Sequence, residues 1–132
     1  MKLLSVISYF HNFFLTSSMF DFEKLEVYKK AKDLNSNIHD FLLSFSLEKN
    51  NESQLRRAAF SIMLNIAEGS GRLSKRDKRN FYVIARGSTF ECVAVFDYLK
   101  EIKSVDESLF WNYYRRLEEI SKMLFALIRN LS

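Results

Sequence analysis

The sequence predicts an all-α fold, an antiparallel up-down-up-down four-helix bundle. Three observations carry this prediction. The 132 residues include no proline and three glycines, too few turn formers for a β-sandwich or barrel of this size. Apolar residues recur at spacings of three and four along four long segments, the period of helices that each bury one stripe. Short polar stretches separate the segments, and short connections bring antiparallel neighbours together.

The first predicted helix follows Met19, with Asp21 as its N-cap. It places Val27, Ala31, Leu34, Ile38, Phe41 and Phe45 on one face. The stretch EKNNES breaks the pattern and reads as a connection. The second helix is predicted from about Ser53 to Glu68, with Leu55, Ala58, Ala59, Ile62 and Ile66 aligned. The third is predicted from about Ser74 to Ile102, with Phe81, Ile84, Ala85, Ser88, Cys92, Val95, Leu99 and Ile102 inward. After a second connection, KSVDES, the fourth begins near Asp106. It carries Leu109, Tyr113, Leu117, Ile120, Leu124, Leu127 and Leu131.

These helices form one domain over residues 19–132, and residues 1–18 are a separate N-terminal extension. The extension, MKLLSVISYFHNFFLTSS, has a lysine, an apolar run and then small residues, a superficial match to a secretory signal. His11 and Asn12 interrupt the run, no A-x-A site follows, and the stretch is too short and polar for a membrane span. It reads as an upstream extension or a loosely attached apolar arm, with a signal peptide as the remaining alternative.

Composition sets the class. Apolar residues make up 48% and charged residues 27% of the chain, which is a globular balance. The net charge of +4 suits an anionic partner without specifying one. One cysteine, Cys92, excludes an internal disulfide and fits a reducing, cytoplasmic setting, and its place in an apolar stripe makes it a core residue. Catalytic chemistry finds little support. The two histidines are His11 and His39, no Glu-x-x-His pair exists, and no metal-ligand spacing occurs. No enzyme activity, metal or cofactor is expected, and no membrane partner.

The stretch NIAEGSGRLSKRDKRNF holds two of the three glycines and then five basic residues within eight positions. It lacks the lysine of a Walker loop, and the preceding residues have helical rather than strand periodicity. Gly69 is expected to end the second helix in a left-handed conformation, Gly71 to let the chain reverse, and Ser74 to cap the third helix with Asp77. The cluster Arg72, Lys75, Arg76, Lys78 and Arg79 surrounds one acid, Asp77. It sits where backbone N–H groups already favour anions, so a phosphate backbone is a fitting contact. Beside it, Gln54, Arg57, Ser61, Asn65 and Glu68 form a polar stripe that Ser88 and Glu91 are placed to face. A hydrogen-bonded network that fixes helix register is the expected role.

Two helices carry more apolar surface than a bundle needs. Phe60, Met63, Leu64 and Ala67 lie away from the second helix's core stripe. Val83, Gly87, Phe90 and Ala94 lie roughly opposite the third helix's stripe. Gly87 inside a helix costs about 1 kcal/mol relative to alanine, and close approach of another helix would explain it. Self-association through these residues is expected.

The segments FEKLEVYKKAKDL, QLRRAAFSIMLNIAEGSGR and FYVIARGSTFECVAVFDYL resemble signature segments of the 23S rRNA intervening-sequence proteins. The resemblance covers roughly Phe22 to Leu131, and its N-I-A-E-G-x-G-R and A-x-G-S-x-x-E patterns place Asn65, Glu68, Gly69, Gly71, Arg72, Gly87, Ser88 and Glu91. It implies a four-helix bundle without enzymatic activity. Similar bundles are accessory proteins of diversity-generating retroelements, which form pentameric rings and work with a reverse transcriptase and RNA. The resemblance therefore implies a homo-oligomer, a pentamer by analogy, that associates with RNA and a protein partner of that kind. Two functions stay open: an RNA-binding module held by phosphate contacts, and a scaffold whose basic surface meets an acidic protein.

Overall fold

A computed structural model describes residues 3, 5–7 and 20–131. Among these the protein is helical, with no strand. A 3-10 turn, Asp21–Lys24, leads into four helices: α1 (Glu26–Ser44), α2 (Lys49–Ser70), α3 (Lys75–Glu101) and α4 (Glu107–Asn130). The most extensive contact is between α2 and α3, followed by α3 with α4, then α1 with α2. The α1–α4 seam is the slightest of these helix pairings.

Named pairs give the helix directions. Ser61 of α2 meets Ser88 of α3, while Gly69 further along α2 meets Phe81 and Tyr82 near the start of α3. Phe96 of α3 stacks on Tyr113 of α4 with centroids 4.3 Å apart, and Arg86 reaches Phe125. Lys30 pairs with Glu119 at 3.0 Å, and the Tyr113 hydroxyl donates to the Asn37 carbonyl at 3.2 Å. Each of these pairings runs antiparallel.

The core follows the predicted stripes closely on three helices. Val27, Ala31, Leu34, Ile38 and Phe41 of α1, all five predicted α2 residues, and Tyr113, Leu117, Ile120 and Leu124 of α4 are buried. Phe45 departs from the prediction. It falls one residue past α1 in extended backbone and is 41% exposed, its ring tilted against Phe41 with centroids 4.7 Å apart. On α3 the buried stripe is rotated: Tyr82, Thr89 and Phe96 join Ala85, Ser88, Cys92 and Leu99 inside. Ile84 and Ile102 are left outside, because the extensive contact with α2 and the Phe96–Tyr113 stack together set the rotation of α3.

Helix ends supply three further corrections. Asp21 does not cap α1. It opens the 3-10 turn, and Leu25, extended and partly buried against the core, is the N-cap without a side-chain bond. The second helix starts at Lys49, so most of EKNNES is helical and the connection is residues 45–48. Gly69 is not left-handed. It lies within α2, which continues to Ser70, and Gly71 follows at φ −85°, ψ −7°. Among the described residues positive φ falls on Lys103 alone, at 61°, in the turn after α3. Ser74 and Asp106 do cap α3 and α4, accepting from the Asp77 and Leu109 backbone N–H groups at 3.1 and 2.7 Å.

Candidate nucleic-acid interface

The interface is built on the turn between α2 and α3. Gly69 is buried because α3 crosses it closely. A Cβ there would lie 2.9 Å from Phe81 Cβ and 2.9 Å from the Tyr82 ring. That close approach fixes how the first turn of α3 leaves the loop. Ser74 then sets its start, and the backbone delivers the basic residues in order.

The five cations divide into two groups. Arg72 donates to Glu68 Oε1 at 2.6 Å and lies over the Phe81 ring at 4.5 Å. Lys78 Nζ donates to the Ser70 carbonyl at 2.7 Å, satisfying an acceptor left open at the end of α2. Both therefore hold the turn together. Lys75, Arg76 and Arg79 are exposed and pair with no carboxylate among the described residues. They stand in the first two turns of α3, where the helix dipole already gives positive potential. Three uncompensated cations on a helix N-terminus form an anion-attracting surface.

The polar stripe is partly a network. Asn65 Nδ2 donates to the Ser61 carbonyl at 2.8 Å and to Ser61 Oγ at 3.0 Å, and Ser61 Oγ lies 2.8 Å from Ser88 Oγ. These residues tie α2 to α3. Arg57 instead donates to Gln54 at 3.0 Å, and Glu91 is exposed outside the network.

The two extra apolar stripes do not share one surface. Phe60 and Met63 line a groove between α1 and α2. Phe90 and Ala94 line another between α3 and α4. Leu64, Val83 and Gly87 are exposed between these limits. A Cβ built on Gly87 meets nothing within 4 Å among the described residues. One arrangement was missed from sequence: Arg86 lies between the Phe90 and Phe125 rings, at 4.8 and 5.5 Å, with its Nε buried and unpaired among the described residues. The four-residue spacing of Arg86 and Phe90 hints at half of it, but Phe125 comes from α4.

Catalytic groups are not gathered here. Among the described residues no three His, Cys, Asp or Glu side chains approach closely enough to hold a metal. Burial, with the nearby Glu91 carboxylate, pushes the Cys92 thiol up to about 12, far from a reactive thiolate. Among the described residues no helix is long and apolar enough to cross a membrane.

Comparison with known proteins bears on the same region. The family model for 23S rRNA-intervening sequence protein matches residues 23–126, from the 3-10 turn to near the end of α4. The chain belongs to the 23S rRNA-intervening sequence protein family. A solved structure has the same fold: a protein of unknown function from the S23 ribosomal protein family of Bacteroides thetaiotaomicron. It is 24% identical, with a TM-score of 0.73 over 77% of this chain and 97% of that one. A comparison with curated proteins gives no match. The family match spans the basic cluster, both motif stretches and the α3 stripe.

Proposed function

We propose that the protein is a non-enzymatic, oligomeric RNA-binding bundle that grips phosphates with the N-terminal turns of α3. The observation that carries this reading is the trio Lys75, Arg76 and Arg79, exposed and without acidic partners at a helix N-terminus. Such an arrangement lowers the stability of the free protein slightly, and an anion would relieve it. Family membership supports RNA as the anion, since the family takes its name from intervening sequences of 23S rRNA. A cytoplasmic location goes with that partner. The exposed α3 stripe of Val83, Gly87, Phe90 and Ala94 supports contact between copies, and a pentamer is the form favoured by the family resemblance. A reverse transcriptase is the protein partner to try first on the same grounds.

A salt titration tests the reading. Replacing Lys75, Arg76 and Arg79 by glutamine should leave the helical spectrum unchanged. It should weaken binding to unrelated structured RNAs alike and reduce the salt slope by about one unit for each phosphate no longer neutralised. Arg72 and Lys78 stay intact in this variant because both hold the turn. RNA binding unchanged at several salt concentrations would sink the reading and favour a scaffold that meets an acidic protein.

A further inference from the structure

The α1–α2 groove has a volume of about 840 Å³, and among the described residues its lining holds Lys32, Arg56 and Arg57 and no carboxylate. This bias stands out on a chain whose net charge is only +4. Arg56 is partly balanced by Glu52 at 3.0 Å, and Arg57 is steadied by Gln54 at 3.0 Å. Lys32 is exposed and has no partner among the described residues. The same lining holds two rings, Tyr28 and the half-exposed Phe60. Asn35 crosses the groove's base and donates to the Ala31 and Ala59 carbonyls, both at 2.8 Å. Its side-chain oxygen remains an available acceptor in the same lining.

Aromatic rings and cations lining one groove suit one ligand chemistry, a base with its flanking phosphates. The groove also connects to the α2–α3 turn. A smaller cavity beside Gly71 and Arg72 is walled by Phe20 and Phe22, and Phe22 contacts Tyr28 edge-on at 4.7 Å. Tyr28 in turn lines the groove. A chain of rings thus leads from the basic turn to the groove, past Asp21 and the Glu68 that Arg72 neutralises.

We propose that the α1–α2 groove is a single-stranded nucleic-acid site, in which Phe60 and Tyr28 stack an unpaired base while Lys32 and Arg57 hold its phosphates. The strand continues along Phe22 to the cations of α3. This gives the protein two contacts of different kind: phosphates alone at α3, and an exposed base in the groove. It rests on the nucleic-acid reading above for its ligand class. It adds a preference for unpaired over duplex RNA, because a base inside a duplex cannot lie on a side-chain ring.

The test compares two intact variant proteins on a labelled oligouridine of about ten nucleotides, within the range one such surface spans, and on a duplex RNA of equal length. The groove variant is Lys32→Gln with Phe60→Ala; the cluster variant is Lys75→Gln, Arg76→Gln and Arg79→Gln. The groove variant should bind the single strand about 5- to 150-fold more weakly, the range for removing one base stack. Its duplex binding should change far less. Phe60→Tyr, which keeps a ring, should bind as the wild type. The cluster variant should weaken both RNAs. Wild-type single-strand binding by the groove variant overturns the proposal, and so does an equal loss on duplex. A fall in oligomer mass on Phe60→Ala also overturns it, since a second copy would then cover the ring. If the groove variant loses the single strand but the cluster variant binds both RNAs normally, the α3 reading fails and the groove stands.

Discussion

A methyl group at position 69 has nowhere to go, whereas one at position 71 has room. The nearest atoms to a Cβ on Gly69 are Phe81 Cβ and Tyr82 Cε1, both at 2.9 Å. For Gly71 the nearest is the Glu68 carbonyl, at an ordinary 3.6 Å. Gly69→Ala should therefore lower stability by about 1–3 kcal/mol, as forced overpacking does. Gly71→Ala should stay within about 0.5 kcal/mol. Urea unfolding of both variants checks this, and equal losses would refute the close-approach account of Gly69. Lys103 is the converse case, a side chain held at φ 61° where glycine sits without strain. Lys103→Gly should raise stability by roughly 1 kcal/mol on the same measurement. Cys92 gives a pH signature. Its folded thiol is pushed from 9.0 up to about 12, mainly by burial, so the folded state keeps a proton that the unfolded chain releases. Stability is then full below pH 9 and falls as pH rises through about 12. Burial raises Tyr82 and Tyr113 too, which steepens the loss above their ordinary value of 10.0. Cys92→Ala should flatten the onset of that decline in alkaline melts.

Among the helices, α3 shows most clearly what periodicity tells and what it does not. Its length and its Ser74 start follow from local chemistry, and both were legible in the sequence. Its rotation was not, because Tyr82 and Phe96 bury against residues of α2 and α4. Spacing alone does not rank Ile84 against Tyr82 for the interior; the partners do. The same division applies to the candidate site. The basic cluster is contiguous, so it could be read directly. The α1–α2 groove draws its rings and cations from two helices, and only packing puts Tyr28 and Phe60 in one groove. The start of α3 also yields a prediction that separates function from folding. Lys75 and Arg76 face the positive end of their own helix dipole with no acid nearby except Asp77. Replacing both by glutamine should stabilise the free protein by about 0.3–1 kcal/mol, while RNA binding weakens. A lower melting temperature in this variant would show that the pair stabilises the fold instead.

For the whole molecule the open question is what covers the outer face of α3. Val83 and Phe90 are about half exposed there, with Gly87 between them. Among the described residues of one protomer this glycine has no packing reason, since a Cβ at position 87 meets none of their atoms within 4 Å. Its helix-weakening effect of about 1 kcal/mol is therefore uncompensated among the described residues. Close approach of a second copy supplies the missing reason, and it makes the test unusually clean. The Cβ of a Gly87→Leu side chain meets no described atom of its own protomer, so the variant should leave the helical spectrum and the protomer's own folding intact. It should nonetheless push the neighbouring copy away. Light scattering at micromolar concentration should give the wild type a multiple of 15.6 kDa and the Leu variant a mass close to that single value. Gly87→Ala should keep the assembly, or loosen it slightly, while raising helix stability. A wild type at 15.6 kDa would remove self-association altogether. A Leu variant with wild-type mass would leave the assembly but move its interface elsewhere, to Leu64 or to the α3–α4 groove around Phe90.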